Sequence, residues 1–385
     1  MSVSDDRLLL TGATGFVGME VLARYLEGTD RQVVALVRAK SDTDAAARID
    51  GVLEELFGRR ARRYAGRVDA VAADLTAPNL GLGPDAVSAL AESITDVIHA
   101  AASVSFALPL EESRAINVAG TARVLELAER AHEQGGLGRF AYVSTAYVAG
   151  THEGTFTEAD VDVGQDFRNA YERSKLEAEQ IVRETGERLP VTILRPSIVV
   201  GDRRSGWTAS FNVLYPPLRA FSRGLYPAVP ALRSAPVDVV SIDYVADAIF
   251  SVCQGEDGLG ETYHLTAGPG ASTVADLVDL ATDYFSRPLR VLDPDVFERE
   301  VAPEVRRHGS AAQRAVLERS RTYFPYFRVG VRFDNRRARR RLEPAGIRAA
   351  PLRDYFRALA DHAVAARWGS RPITRAQAMD RLAPA

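Results

Sequence analysis

The residues best suited to chemistry are a tyrosine and a lysine four apart, Tyr171 and Lys175 in YERSK, with Thr145 upstream in YVSTAYVAG. That spacing puts both side chains on one face of a helix. A free tyrosine titrates near pH ~10 and is a poor proton donor or acceptor at neutral pH. A neighbouring ammonium favours the phenolate and tunes the ring for proton transfer. The same ammonium can hydrogen-bond a ribose, and a wide, planar guanidinium would not reach in the same way. Of the 48 basic residues only two are lysine, Lys40 and Lys175. One of them therefore stands where this chemistry needs an ammonium. Taken alone, Y-x-x-x-K also describes an ordinary surface helix pair, so the surrounding elements must decide.

The first of those elements is a glycine turn. Thr11, Gly12, Thr14, Gly15, Phe16, Val17 and Gly18 belong to TGATGFVG, directly after an apolar strand pattern and at the start of a helical one. The spacing is G-x-x-G-x-x-G. It differs from the commoner G-x-G-x-x-G but works by the same physics: a tight turn, a close backbone approach, and helix N-terminal N–H groups aimed at a pyrophosphate. The second strand runs into Arg38, Ala39 and Lys40 and has no acid at its end. An acid there would hold the ribose 2′-hydroxyl of NAD, whereas cations accommodate a 2′-phosphate. Arg38, with Lys40 and Arg48, predicts NADPH; otherwise they are solvated surface cations.

Asp74 and Leu75 are expected to end the third strand and flank the adenine. The fourth strand ends in His99, Ala100, Ala101 and Ala102, small residues that let a cofactor lie against the sheet edge. His99 reads as packing or polar lining, because no second ligand stands at metal spacing from it.

Over the first 200 residues, apolar strand patterns such as RLLLTG, VVALVR, RFAYVSTAYV and VTILRPSIVVG alternate with helix-length segments. Repeated βαβ units predict an α/β fold, a doubly wound parallel sheet of Rossmann type with helices on both faces. After Gly201 a turn-rich, proline-rich stretch intervenes, and the tail reads as mainly helical. The predicted units are a dinucleotide-binding domain over 1–201 and 237–266 and a smaller substrate lobe over 202–236 and 267–385. The apolar segment 211–232 fits the lid of an acyl tunnel or a peripheral membrane contact.

The 385 residues carry a net charge of −3 and are 46% hydrophobic, which excludes disordered and fibrous classes. No apolar run is long enough to span a bilayer. The opening MSVSDDRLLLTGATG lacks a signal-peptide pattern, so the expected location is cytoplasmic. The single cysteine, Cys253, sits in apolar AIFSVC and reads as a buried structural thiol, not the nucleophile of an acyl-enzyme route. No zinc pattern is present.

TGATGFVG, Thr145, Tyr171 and Lys175 resemble the extended short-chain dehydrogenase/reductases over roughly residues 6–266. Within that superfamily VIHAAASVSF, INVAGT, FAYVSTAYVAG, RPSIVVGDRRSGW and VDVVSIDYVADAI look like one branch: the fatty acyl-CoA reductases and the thioester-reductase domains of carboxylic acid reductases and peptide synthetases. The resemblance implies that Thr145 and Tyr171 hydrogen-bond the substrate carbonyl oxygen. It implies that Lys175 holds the ribose and lowers the Tyr171 pKa, that Asn117 supports a proton relay, and that Pro196, Ser197 and Ile198 line the nicotinamide site. The implied activity is NADPH-dependent reduction of an acyl-CoA or acyl-carrier-protein thioester to an aldehyde, with or without onward reduction to the alcohol. The alternatives are a nucleotide-sugar epimerase or dehydratase, a hydroxysteroid-type dehydrogenase, or a cofactor-binding protein without catalysis.

Residues 301–350 contain 13 arginines and four acids, a surplus of nine positive charges that leaves −12 on the rest of the chain. This is either a solvated face or a docking surface for an acidic carrier protein or the phosphates of coenzyme A. Nucleic acid is not expected, since the chain as a whole is slightly acidic and shows no binding module.

Overall fold

The computed structural model describes residues 6–255 and 257–382, so the ends of both expected units lie outside the described residues. Seven strands form the main sheet: β1 (Arg7–Thr11), β2 (Gln32–Val37), β3 (Val68–Ala72), β4 (Ile94–His99), β5 (Arg139–Val143), β6 (Val191–Pro196) and β7 (Thr262–Leu265). Their order is β7-β6-β5-β4-β1-β2-β3, and every pair is parallel. This is the doubly wound arrangement expected. The order reverses between β1 and β4, where Thr11 pairs with His99. The crevice beyond those strand ends is where such folds bind ligands.

The strands read as unbroken apolar runs because both faces are covered. Leu8 and Leu10 point into a core shared with α1 (Phe16–Gly28), α2 (Asp42–Phe57) and α7 (Ile242–Val252). Leu9 points the other way, into a core with α3 (Pro84–Ser93), α4 (Leu110–Glu133) and α5 (Ala170–Thr185). Side-chain oxygens start two of these helices: Ser41 accepts the Asp44 amide ahead of α2, and Asn169 accepts the Glu172 amide ahead of α5.

The structure corrects three expectations. First, VTILRPSIVVG is not one strand. Pro196 has no amide hydrogen for a ladder, so β6 stops there, and Ile198–Val200 pairs with Val239–Ser241 outside the main sheet. Second, β3 ends at Ala72, so Asp74 and Leu75 lie in the following turn, where Asp74 accepts the amide and hydroxyl of Thr76.

Third, the stretch after residue 267 is not one lobe. α6 (Tyr215–Ser222), α8 (Val274–Phe285) and the helix Leu352–Ala365 build a separate core. However, Val331–Phe333 pairs with Gly154–Phe156, and Ala338, Leu342, Ile373 and Ala378 pack into the core of β1 and α1. The tail thus returns to the sheet it follows.

Candidate active site

Gly12 and Gly18 explain the glycine turn by contact. Gly12 has φ +79°, and a Cβ there would lie 2.7 Å from the Ala101 nitrogen; one on Gly18 would lie 2.0 Å from the Gly12 oxygen. Only glycine lets β1, α1 and the end of β4 close this tightly. No side chain caps α1, and its first turn holds no acid, so its N-terminal amides face the crevice unneutralised. These features fit a dinucleotide pyrophosphate. Thr11 adds polar structure behind the turn, accepting the Ala101 amide at 3.2 Å. Ala100 and Ala102 stay partly exposed along the same crevice. Phe16 packs edge-on against Trp207, and Val17 lies partly buried beside it.

Beyond β2, Arg38, Lys40 and Arg48 are all exposed. Arg48 reaches back to donate to the Arg38 carbonyl and to Thr14 Oγ1, so it joins the glycine turn to the end of β2. Asp42, the next acid in the sequence, accepts the Ala72 amide at 2.8 Å. Leu75 lies against Gly120 of α4.

The hydroxyl pair comes from two elements. Thr145 follows β5 and is buried, and its Oγ1 accepts the Tyr147 amide at 3.2 Å. Tyr171 opens α5, half-buried, and Thr145 is the neighbour that favours its ionised form. Desolvation pushes the phenol up to about 12, against the opposing pull of Thr145. Tyr171 therefore stays protonated at neutral pH.

This differs from the expectation that Lys175 lowers Tyr171. The Lys175 ammonium turns to β5 instead, donating to the Tyr142 hydroxyl at 2.7 Å and to the Val143 carbonyl at 2.9 Å. Burial lowers its pKa to about 7, with Glu179 opposing that shift.

Asn117 departs from the expected relay. Its amide donates to the Ser103 carbonyl and to Ser174 Oγ, and its oxygen accepts the Ser103 amide. With its side-chain groups so engaged, it ties the loop after β4 to α5. Pro196 presents its carbonyl 3.4 Å from Thr145 Oγ1, and Ile198 is half-buried nearby. Ser197 turns away and donates to buried Asp238 at 2.6 Å. His99 is buried between Thr11 and Thr121, with burial holding its pKa down at about 3. Cys253 lies in the core, its thiol pushed up to about 12 by burial. Among the described residues no cluster of metal-ligating side chains occurs, and no helix is long and apolar enough to cross a membrane.

Several residues around the site were missed in the sequence. Glu179, wholly buried one turn beyond Lys175, accepts Ser144 Oγ at 2.6 Å and two nitrogens of buried Arg195. Those charges hold its carboxyl down at about 2. The signal was there in the 171, 175, 179 spacing on one helix face. Tyr326 comes from far along the chain; it donates to Glu172 at 2.6 Å and stacks on Phe106, which in turn packs against Tyr171. No local pattern could have shown that.

The basic segment 301–350 divides between two places. Seven of its arginines already have carboxylate partners, among them Arg336, Arg337 and Arg339.

A family model described as "Male sterility protein", a family of NAD-binding domains, matches residues 10–249. The chain belongs to that family. It is similar to a glycine betaine reductase of Emericella nidulans, 32% identical over 303 residues that cover 75% of this chain and 23% of that protein. A carboxylic acid reductase of Mycobacterium marinum is 30% identical over 288 residues, which cover 67% of this chain and 24% of its own length. Among solved structures, the terminal R domain from the myxalamid PKS-NRPS pathway superposes with a TM-score of 0.82 at 27% identity, covering 97% of this chain and 94% of that one. The chain thus spans less than a quarter of the two curated relatives but nearly all of the solved domain. It is a reductase-type member of the extended short-chain dehydrogenase/reductases, built on a fold that binds a nicotinamide dinucleotide.

Proposed function

We propose that the protein reduces acyl thioesters to aldehydes with NADPH, the acyl group arriving on coenzyme A or on an acyl carrier protein. The observation that carries this reading is the Thr145–Tyr171 hydroxyl pair at the end of β5, beside the crevice where Gly12 meets Ala101. NADPH is favoured over NADH because Arg38, Lys40 and Arg48 surround the end of β2, while Asp42 is occupied on β3.

When bound, the dinucleotide supplies hydride to the thioester carbon. Thr145 and Tyr171 donate hydrogen bonds to the carbonyl oxygen, and these strengthen as negative charge develops on it. A phenol held neutral suits that role: it can lend its proton to the oxyanion and take it back as the carbonyl reforms. The tetrahedral adduct breaks its carbon–sulfur bond, the thiolate leaves with the electron pair, and an aldehyde remains. Thr145 gives its one hydroxyl hydrogen to the Pro196 carbonyl at 3.4 Å, a long bond that it exchanges for the substrate oxygen. Lys175 has used two of its three donors on β5; the third is proposed to hold the ribose. The aldehyde can undergo a second hydride addition at the same pair and give the alcohol.

The test is NADPH oxidation by the purified protein against acyl-CoA and acyl-carrier-protein substrates, with aldehyde and alcohol identified. Product formation at NADPH-dependent rates supports the reading; no turnover with either carrier contradicts it. If a carrier protein docks on the basic segment, Arg340 and Arg348, which lack carboxylate partners among the described residues, are the positions to reverse. Arg340→Glu with Arg348→Glu should then raise KM for the carrier-bound substrate at least fivefold more than for a free aldehyde.

A further inference from the structure

α1 begins without the support that Ser41 and Asn169 give to α2 and α5. Its first turn has no capping side chain and no acid. A capping oxygen would occupy the amides that a pyrophosphate needs. A first turn with free amides frays unless something other than a cap holds it. Two side chains from distant parts of the chain do so.

The first is Trp207, wholly buried after the turn Asp202–Gly206. Its ring meets Phe16, the first residue of α1, edge-on at 5.7 Å. The second is Arg375, which starts the helix Arg375–Asp380. Its Nε lies 2.6 Å from Oε1 of buried Glu20, one turn beyond Phe16 on the same face of α1. Glu55 of α2 joins the two. Its Oε1 accepts the Trp207 indole N–H and the Arg375 amide, each at 3.2 Å.

Both grips are themselves fixed. Asp202 accepts the Ser205 amide and hydroxyl at 2.7 Å, and its own amide donates to the Trp207 carbonyl at 2.9 Å. Gly206, with φ +69°, packs so closely on Ala358 that a Cβ would overlap it. Thr374 and Gln377 cap the tail helix reciprocally. Trp207 has no exposed surface, so it can act on a ligand only through Phe16.

We propose that Trp207 and Arg375 are positioning residues for the dinucleotide: joined through Glu55, they hold the first turn of α1 so that its free amides are set for the pyrophosphate before it arrives. Donors set in advance spare the ligand the cost of ordering them. Arg375 lies far beyond residue 249, where the family match ends, so the tail belongs to the dinucleotide site. The clasp serves the pyrophosphate, which NADPH and NADH share, and not the 2′-phosphate end that Arg38 faces. The proposal rests on the dinucleotide reading of the glycine turn and is independent of the thioester chemistry.

The experiment is calorimetric titration of the full chain with NADPH, NADH and adenosine 2′-phosphate, which carries the 2′-phosphate but no pyrophosphate. Trp207→Leu should weaken NADPH and NADH alike by about tenfold, the upper range of one aromatic edge contact. Adenosine 2′-phosphate should stay within about twofold of its wild-type affinity. Arg375→Met, which leaves Glu20 its Arg24 partner, should give the same pattern at about fivefold. Trp207→Phe keeps a ring but loses the bond to Glu55; it should give the pattern at about threefold and decides the matter if Trp207→Leu fails to fold. Unchanged NADPH affinity in the folded variants overturns the proposal. Equal weakening of all three ligands does so too, because it marks a general loosening of the fold. A wild type that binds neither dinucleotide removes the dinucleotide reading and the proposal with it.

Discussion

The Lys175 ammonium lies 2.7 Å from the Tyr142 hydroxyl and 4.2 Å from the centre of that ring. The contact borders a buried row of polar groups: the His99 ring stacks on Tyr142, His99 Nε2 meets Thr121, and His99 Nδ1 meets Thr11 Oγ1. The lysine of α5 is thereby connected, through β5 and β4, to the residue before the glycine turn. Burial holds the ammonium's pKa down at about 7, and the charge of Glu179 offsets that only in part.

Tyr142→Phe tests that contact. The Tyr142 oxygen favours the charged form of Lys175, so its removal lowers the lysine pKa further. An activity that needs the ammonium falls as pH rises through that pKa. The alkaline limb of kcat/KM for NADPH should therefore move down by about one pH unit, the shift that ~1.4 kcal/mol of lost hydrogen bonding produces. A limb that stays in place between pH 6 and 9 contradicts this role for Tyr142.

Cofactor choice rests on Arg38. Arg38→Glu places an acid where a 2′-hydroxyl would be held and a 2′-phosphate repelled. The ratio of NADPH to NADH affinity should fall at least 30-fold, measured by titrating nucleotide fluorescence. Equal weakening of both nucleotides would show that Arg38 contributes only general charge.

Glu179 is a matter of stability. Glu179→Gln leaves Arg195, itself wholly buried, without its counter-charge. Breaking a buried pair from one side costs about 3–5 kcal/mol, so the urea midpoint should drop sharply while the slope stays the same. A shift like that of an exposed pair, below about 1 kcal/mol, would mean that Arg195 does not depend on Glu179 for its counter-charge.

Much of the architecture was legible because its causes are local. Leu8, Leu9 and Leu10 announce a strand buried on both faces, and TGATGFVG marks the turn that follows. Residues 171 and 175 share a helix face whatever surrounds them. Legibility failed where the cause is tertiary. Nothing near Lys175 in sequence shows that the Tyr142 hydroxyl will accept its hydrogen bond, and nothing near Glu172 shows that Tyr326 will bond to it from 154 positions away. Asn117 stands where a relay was expected, but its partners are set by how the loop after β4 folds over α4. The break after Pro196 follows from proline chemistry, but the apolar run that continues through it masks it in the sequence.

The central claim is that Thr145 and Tyr171 stabilise charge on a thioester oxygen. Single-turnover NADPH oxidation with an acyl-CoA or acyl-carrier-protein substrate, compared among wild type, Tyr171→Phe and Thr145→Val, tests it most directly. Loss of an oxyanion donor costs about 100- to 1000-fold in rate, so each variant should slow by that amount while still binding NADPH with wild-type affinity. A Tyr171→Phe protein that reduces the thioester within a few-fold of the wild-type rate would contradict the account.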